Sequence, residues 1–165
     1  FGINEFFKIP IPLIQKKFAR IMSLKDGSKK MSKSELSDLA RINLNDNKDQ
    51  IINKIKKAKT DTLPFPSSTE ELNQRPEAKN LLGIYCSLTN TNLENSIKNF
   101  SGKNFSEFKE NLSEALIEKI YPISLEIKKL TNDKTYIDKI LNDGYEKANE
   151  IASKKLKKIQ EILGF

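Results

Sequence analysis

Ten consecutive residues of this chain concentrate groups suited to holding a polyanion. Lys25-Asp26-Gly27-Ser28-Lys29-Lys30-Met31-Ser32-Lys33-Ser34 carries lysines at 25, 29, 30 and 33 and serines at 28, 32 and 34. It has no apolar periodicity, so it reads as a loop with a turn at Gly27. Ammonium and hydroxyl donors on a loop can surround a triphosphate and follow its charge as that charge moves. Catalysis by such a loop is electrostatic: donors that hold developing negative charge better in the transition state than in the ground state lower the barrier. The spacing is not that of a Walker A loop, because G-x-x-x-x-G-K-[ST] is absent. Composition alone leaves two readings open, a solvated turn and a phosphate site.

The rest of the chemistry is narrowed by what the sequence lacks. Its 165 residues include no histidine, which removes Ser-His-Asp and Cys-His triads and zinc sites built on imidazole. Cys86 is the single cysteine, so no internal disulfide can form and a reducing cytoplasm is the natural compartment. It lies on an apolar stripe and reads as an inert core thiol. No pair of carboxylates is placed for acid–base work, and no metal-ligand spacing occurs. Lysine, serine, carboxylate and backbone groups must carry whatever the protein does.

Lys and Arg number 29 against 22 Asp and Glu, a net charge of +7. That excess suits a polyanionic partner. It is almost all lysine, the arginines being Arg20, Arg41 and Arg75, and the wealth of Lys, Asn and Ile fits an AT-rich genome equally well. Hydrophobic residues make up 37% and the mean hydropathy is -0.56, as for a soluble domain with a modest core. No run approaches the roughly 20 apolar residues of a membrane span. Phe1 is not an initiator methionine and no targeting pattern follows it, so the chain is expected to begin inside a longer protein.

The elements that must position the loop follow from periodicity. Prolines at 10 and 12 keep residues 6–12 extended. Ala19-Arg20-Ile21-Met22-Ser23-Leu24 is long enough for a buried strand leading into the loop. From Asp46 the pattern turns helical, with Asp46 as cap, Asp49 in the favoured third position, and Ile51, Ile52, Ile55 and Ala58 as the apolar stripe. Residues 59–75, with Pro64 and Pro66, read as a connector. Pro76 opens the next helix, with Ala78, Leu81, Leu82, Tyr85 and Cys86 inward. A short amphipathic segment spans Leu93 to Phe100. Another helix starts at Asn104 with Glu107, runs along Phe108, Leu112, Ala115, Leu116, Ile120, Ile123, Ile127 and Leu130, and should kink near residues 118–121 because of Pro122. The last helix begins near Lys134, with Ile137, Ile140, Leu141, Ala148, Ile151, Ala152, Leu156, Ile159 and Leu163 inward and Gly144 as a bend or break. The expected fold is mostly α, attached to the remnant of an α/β domain.

Read in order, Lys30-Met31-Ser32-Lys33-Ser34 is the full KMSKS pattern of class I aminoacyl-tRNA synthetases. With Phe6-Phe7-Lys8-Ile9-Pro10 and Ala19-Arg20-Ile21-Met22-Ser23-Leu24 before it, the chain resembles bacterial and organellar tryptophanyl-tRNA synthetases. Ile55-Lys56-Lys57-Ala58-Lys59-Thr60-Asp61, Asn80-Leu81-Leu82-Gly83-Ile84-Tyr85 and Gly144-Tyr145-Glu146-Lys147-Ala148-Asn149 follow in the family's order. The resemblance covers essentially the whole chain. It departs in having Asp26-Gly27 and Glu35-Leu36 where the family commonly has Asp-Pro, changes that should loosen the flanks of the loop.

The resemblance implies residues 1–45 as the end of a Rossmann-like catalytic domain and 46–165 as the helical anticodon-binding domain. The last helix, from about 144 to 165, would pack back on the catalytic part. It also implies a protein that activates tryptophan with ATP and charges tRNA(Trp), with magnesium arriving on the ATP. Lys30, Met31, Ser32, Lys33 and Ser34 would form the ATP loop, with Lys30 and Lys33 catalytic and Lys33 on the leaving pyrophosphate. Ile21 would lie beside the adenine through its backbone, where the periodicity alone makes it a buried strand residue.

The HIGH-like motif and the tryptophan pocket are not in this stretch, so the piece should be inactive alone. The whole protein would be a cytoplasmic homodimer, without DNA or membrane partners. Lys54, Lys56, Lys57 and Lys59 could contact a tRNA backbone or simply be solvated, and the cluster Lys154, Lys155, Lys157 and Lys158 is the weaker candidate. Tyr85, Phe100, Phe105, Phe108 and Tyr136 could stack on bases but are more often core at helical spacing. A free-standing tRNA-binding module that kept the loop is the alternative reading, and a tyrosyl-tRNA synthetase the nearest enzymatic one. An apolar patch is expected around Ile9, Ile11, Leu13 and Ile14.

Overall fold

The computed structural model describes residues 6–14 and 19–164. Among them run six α-helices: α1 (Lys48–Lys56), α2 (Thr69–Asn73), α3 (Pro76–Thr89), α4 (Leu93–Phe100), α5 (Phe105–Asn132) and α6 (Lys134–Leu163). The fold is mostly α, as expected. The buried strand expected over 19–24 is reduced, among the described residues, to one antiparallel bridge between Met22 and Lys30.

Local chemistry sets the helix ends, not always where the sequence pointed. The cap of α1 is Asn47 rather than Asp46. Its Oδ1 accepts the Gln50 N–H at 2.9 Å, and the Gln50 side chain accepts the Asn47 N–H at 2.8 Å, a reciprocal capping box. Asp46 is unavailable because its carboxylate is bound by Lys54 and by the Asn43 N–H. The stretch 59–75 is not loop throughout, because Ser68 accepts the Glu71 N–H and starts α2. Arg75 then pins this connector, its Nε and Nη2 on the two carboxylate oxygens of Asp61 at 2.8 and 2.6 Å and its Nη1 on the Pro64 carbonyl at 2.8 Å. Pro76 sits in the first turn of α3, and Asn90 closes that helix in the left-handed region at φ 54. α5 continues through Pro122 to Asn132, and α6 continues through Gly144 to Leu163. Gly144 therefore does not split the last helix.

The chain divides into two compact units, Ile14–Ile127 and Phe1–Leu13 with Lys128–Phe165. In the first, Leu24, Ile51, Ile55, Phe65, Leu72, Leu81, Leu82, Phe100, Phe108 and Leu112 form one buried cluster. Phe65 packs on Phe108 with ring centroids 4.6 Å apart, and Phe100 meets Phe108 edge-on at 4.9 Å. Phe100, Phe105 and Phe108 are thus core, Tyr85 flanks them, and Cys86 is buried with its thiol donating to Ser96 Oγ at 3.3 Å. Ile52, expected in the stripe of α1, is exposed. The boundary expected at 45/46 falls inside this unit. Leu24 donates to the Ala40 carbonyl and accepts from the Lys59 N–H, which ties the loop-bearing segment to the end of α1.

In the second unit, Lys155 of α6 lies over the Phe6 ring, 3.5 Å from its centroid, and donates to the Phe6 carbonyl at 2.6 Å. α6 buries none of its residues. Ile140, Leu141, Ile151 and Leu156, expected inward, are exposed, as is Tyr136. Periodicity identifies which face of a helix is apolar but not whether anything covers it. Ile9, Ile11, Leu13 and Ile14 are exposed as expected.

Candidate functional site

The candidate site is built on a narrow hairpin within the larger unit. The Met31 N–H donates to the Ile21 carbonyl at 3.0 Å and the Ser23 N–H to the Lys29 carbonyl at 2.8 Å. At the tip, Asp26 accepts from the Ser28 hydroxyl at 2.6 Å and the Ser28 N–H at 3.0 Å, with Lys29 Nζ 3.2 Å away. These hydrogen bonds, chiefly those from Ser28, pull the Asp26 carboxyl from 3.8 down to about 2. The tip therefore carries a fixed negative charge that occupies Lys29.

Gly27 is seated against α3. A Cβ there would lie 2.6 Å from the Glu77 nitrogen and 2.6 Å from the Pro76 carbonyl carbon, so only glycine permits the approach. The carboxylate of Glu77 binds Lys59 Nζ at 2.8 Å. The Lys59 hydrogen bond and then its charge hold Glu77 below the usual carboxylate range against burial, and Glu77 raises Lys59 in return. The glycine at this flank is held against the first turn of α3.

Around the end of the hairpin, one side chain turns inward and its neighbours do not. Met31 packs against the core cluster, whereas Lys30, Ser32, Lys33 and Ser34 are exposed. Ser32 and Ser34 share a hydrogen bond at 2.9 Å, and the Ser34 N–H donates to Ser32 Oγ at 3.3 Å. No ion pair among the described residues engages Lys30 or Lys33. A methionine anchor thus presents two ammonium groups and two hydroxyls to solvent on a short arc, which is a surface a phosphate chain can accept. The far flank is tied down as well. Arg41 Nη1 donates to the Glu35 carbonyl at 2.8 Å and its Nη2 lies 3.1 Å from Asp38.

The pattern of the family described as tRNA synthetases class I (W and Y) matches residues 2–120. The chain belongs to that family. It is 50% identical over 162 residues to a tryptophan–tRNA ligase from Rickettsia felis, covering 98% of this chain and 48% of that protein. To the tryptophan–tRNA ligase of Mesorhizobium japonicum it is 47% identical over 162 residues, covering 98% and 46%. Among solved structures, tryptophanyl-tRNA synthetase from Mycoplasma pneumoniae superposes with a TM-score of 0.72 at 27% identity, covering 92% of this chain and 45% of that one. The Campylobacter jejuni enzyme, solved with ADP and tryptophan, shares the fold at a TM-score of 0.68 and 21% identity, covering 98% and 48%. The chain spans about half the length of the curated relatives it matches.

Within the chain the expected site residues separate into three situations. Lys30 to Ser34 form one exposed arc, and Ile21 lies across the hairpin from Met31. Ile21 is 44% exposed, not the buried strand residue its neighbours suggest, because only its backbone joins the pair. The first lysine cluster divides. Lys56, Lys57 and Lys59 are exposed, but the Lys54 side chain is 3% exposed and is enclosed by Asp46 and Asp38 at 2.7 Å each. Lys54 is thereby removed from any surface that meets a polyanion.

In the second lysine cluster, Lys154 pairs with Glu150 and Lys155 with Phe6. Sequence reasoning passed over Gly27's seat on α3 and the amide of Asn80, which meets Met22. For Asn80 the available signal was a polar residue at the head of the buried run Leu81-Leu82. Among the described residues no cluster of carboxylates or thiols is placed to hold a metal, and no helix is long and apolar enough to cross a membrane.

Proposed function

We propose that this chain is the C-terminal half of a tryptophan–tRNA ligase and supplies that enzyme's ATP-phosphate loop and tRNA-binding helices. The observation that carries the reading is the arc Lys30–Ser34, which presents two ammonium groups from a hairpin anchored by Met31. The identity to tryptophan–tRNA ligases along almost the whole chain supports the choice of amino acid.

In the proposed reaction the tryptophan carboxylate attacks the α-phosphorus of ATP, forming tryptophanyl-adenylate and expelling pyrophosphate. Negative charge accumulates on the leaving β- and γ-phosphates as the bond breaks. Lys33, with Lys30 beside it, holds that charge, and an ammonium already desolvated on one side by the bound phosphates acts most strongly at that moment. Magnesium comes with the ATP as part of the substrate. Ile21 lies beside the adenine through its backbone. A hydroxyl of the tRNA then attacks the mixed anhydride, takes the tryptophanyl group and releases AMP. Lys56, Lys57 and Lys59 lie along the tRNA backbone, whose phosphates they read by charge alone.

The residues that would hold tryptophan and complete the ATP site belong to the other half, so this chain alone is inactive. The complete protein is a cytoplasmic homodimer. Tryptophan-dependent exchange of pyrophosphate into ATP by the full-length protein tests the reading directly. Exchange with tryptophan but not tyrosine is expected. Absence of exchange, with tRNA(Trp) still bound, would leave a tRNA-binding module instead.

A further inference from the structure

The segment Ile21–Ser23 has hydrogen-bonding groups on two edges. One edge faces the loop: the Ile21 carbonyl accepts from Met31 and the Ser23 N–H donates to Lys29. Backbone groups alternate along an extended chain, so the N–H and C=O of Met22 point the other way. A side chain of α3 meets them. Asn80 Oδ1 accepts the Met22 N–H at 2.8 Å, while Asn80 Nδ2 donates to the Met22 carbonyl at 2.8 Å and reaches the Ser23 carbonyl at 3.5 Å. One carboxamide occupies the place that a neighbouring strand's peptide group would take.

We propose that Asn80 is a positioning residue of the ATP site. Its two-point grip on Met22 sets the register of Ile21–Ser23 against Lys29–Met31 and so holds the adenine-side residue and the phosphate loop in one geometry. The inference rests on the ligase reading above and adds to it the residue that joins its two contacts.

Three observations support it. The pairing of the hairpin is a single bridge, Met22 with Lys30, too short to hold its own register. A slip of one residue would exchange the faces of Ile21 and Met22. The same helix holds the hairpin a second time, since Gly27 is seated on Pro76 and Glu77, one turn before Asn80. Finally, the clamp needs a donor and an acceptor on one planar group. Among the side chains only Asn and Gln amides offer that at every pH, and Gln is longer by one methylene.

That last point supplies the test. Asn80→Asp keeps the shape. When protonated, the introduced carboxyl accepts from the Met22 N–H and donates to the Met22 carbonyl, as the amide does. When ionised it has no donor and faces the carbonyl oxygens of Met22 and Ser23. Those oxygens and partial burial raise its pKa above the usual value of about 4. The charged groups around it are Arg20, Lys79 and Glu94 in the wall of the same cavity, with Asp26, Lys59 and Glu77 around Gly27. All are common to both proteins, so the ratio of variant to unsubstituted protein isolates the introduced group.

In the full-length ligase, the ATP KM of Asn80→Asp should approach the unsubstituted value near pH 5.5 and exceed it by about tenfold at pH 8, with the tryptophan KM within about twofold throughout. In the present chain, Asn80→Leu should speed hydrogen exchange of the Met22 and Met31 amides by about tenfold and leave α5 amides unchanged. An ATP KM ratio that does not vary with pH, or unchanged protection of those two amides, overturns the proposal. If the unsubstituted full-length protein shows no pyrophosphate exchange, the ligase reading fails. The amide exchange then still decides whether Asn80 sets the register.

Discussion

Lys54 and Asp46 form a closed pair in the interior: the ammonium nitrogen lies 2.8 and 2.7 Å from the two carboxylate oxygens, and each side chain is 3% exposed. Asp38 adds a second carboxylate at 2.7 Å and hands the interaction on to Arg41, which holds the Glu35 carbonyl beside the loop. A lysine that reads in sequence as part of a basic surface is instead the post on which the loop's far flank is braced.

Removing one member of a buried pair strands the other charge. Lys54→Met should therefore cost about 3–5 kcal/mol of stability, and Lys56→Met, two residues on and exposed, less than about 0.5 kcal/mol. Urea unfolding of the chain followed by circular dichroism compares the two. Similar losses would mean that Lys54 is solvated like its neighbour.

Gly27→Ala places a methyl group against backbone that cannot swing aside, since the nearest atoms belong to Pro76 and Glu77. The tip of the hairpin must lift, at a cost of about 1–3 kcal/mol by analogy with overpacked cores. Urea unfolding of the two chains measures the cost, and the amide chemical shift of Glu77, whose nitrogen lies against the glycine, reports the lift. An unshifted Glu77 amide would show that the seat survives the substitution.

Acid should weaken the fold through the same carboxylates. Asp26 is lowered to about 2, and Asp38, Asp61 and Glu77 are also lowered. At Asp61, burial pushes upward but is outweighed by the Arg75 hydrogen bond, the Leu63 N–H and the Arg75 charge. A folded pKa below the unfolded one gives stability that is present above about pH 4 and lost as the pH falls through the folded value. The urea midpoint should decline from about pH 4 toward pH 2, and Asp26→Asn should flatten the lowest part of that slope. A slope unchanged by the substitution would remove Asp26 from the effect.

If the proposed ligase function holds, Lys33→Ala in the full-length protein should slow adenylate formation by about 10²–10³-fold while tryptophan binding changes by less than about twofold. Stopped-flow fluorescence on tryptophan analogues separates the two steps. Equal losses in both would argue that Lys33 supports the fold of the site rather than the departing pyrophosphate.

If Lys56 and Lys57 lie on the tRNA backbone, the double change to glutamine should flatten the dependence of log K on log salt by close to two phosphate contacts, without altering preference among tRNAs. Filter binding over a salt series reads the slope. An unaltered slope would return both lysines to the solvated surface.

What could be read before any fold was known rested on short-range rules. The order Lys30-Met31-Ser32-Lys33-Ser34, the proline at the head of α3, the apolar stripe of α3, the inward positions Ile51 and Ile55 of α1 and Phe108, Leu112 and Leu116 of α5, and the identity of Cys86 as core all follow from residue type and period, which act within a few residues, whereas Ile52 and Ile123 of the expected stripes are exposed. What escaped that reading depends on contacts remote in sequence. Lys54 looks like Lys56 until Asp38 and Asp46 close around it, and the cap of α1 moves to Asn47 because that closure consumes Asp46. Gly27 looks like a loose turn until α3 arrives beneath it. Asn80 looks like an ordinary polar residue until Met22, 58 positions away, offers it both backbone groups. The apolar face of α6 shows the limit from the other side, since its pattern is plain while none of its residues is buried. Charge and periodicity are properties of the chain, but desolvation, close approach and the pairing of remote polar groups come into being only when distant segments share a volume. Those are the terms that decided which lysine is buried, which glycine is indispensable and which amide holds the loop.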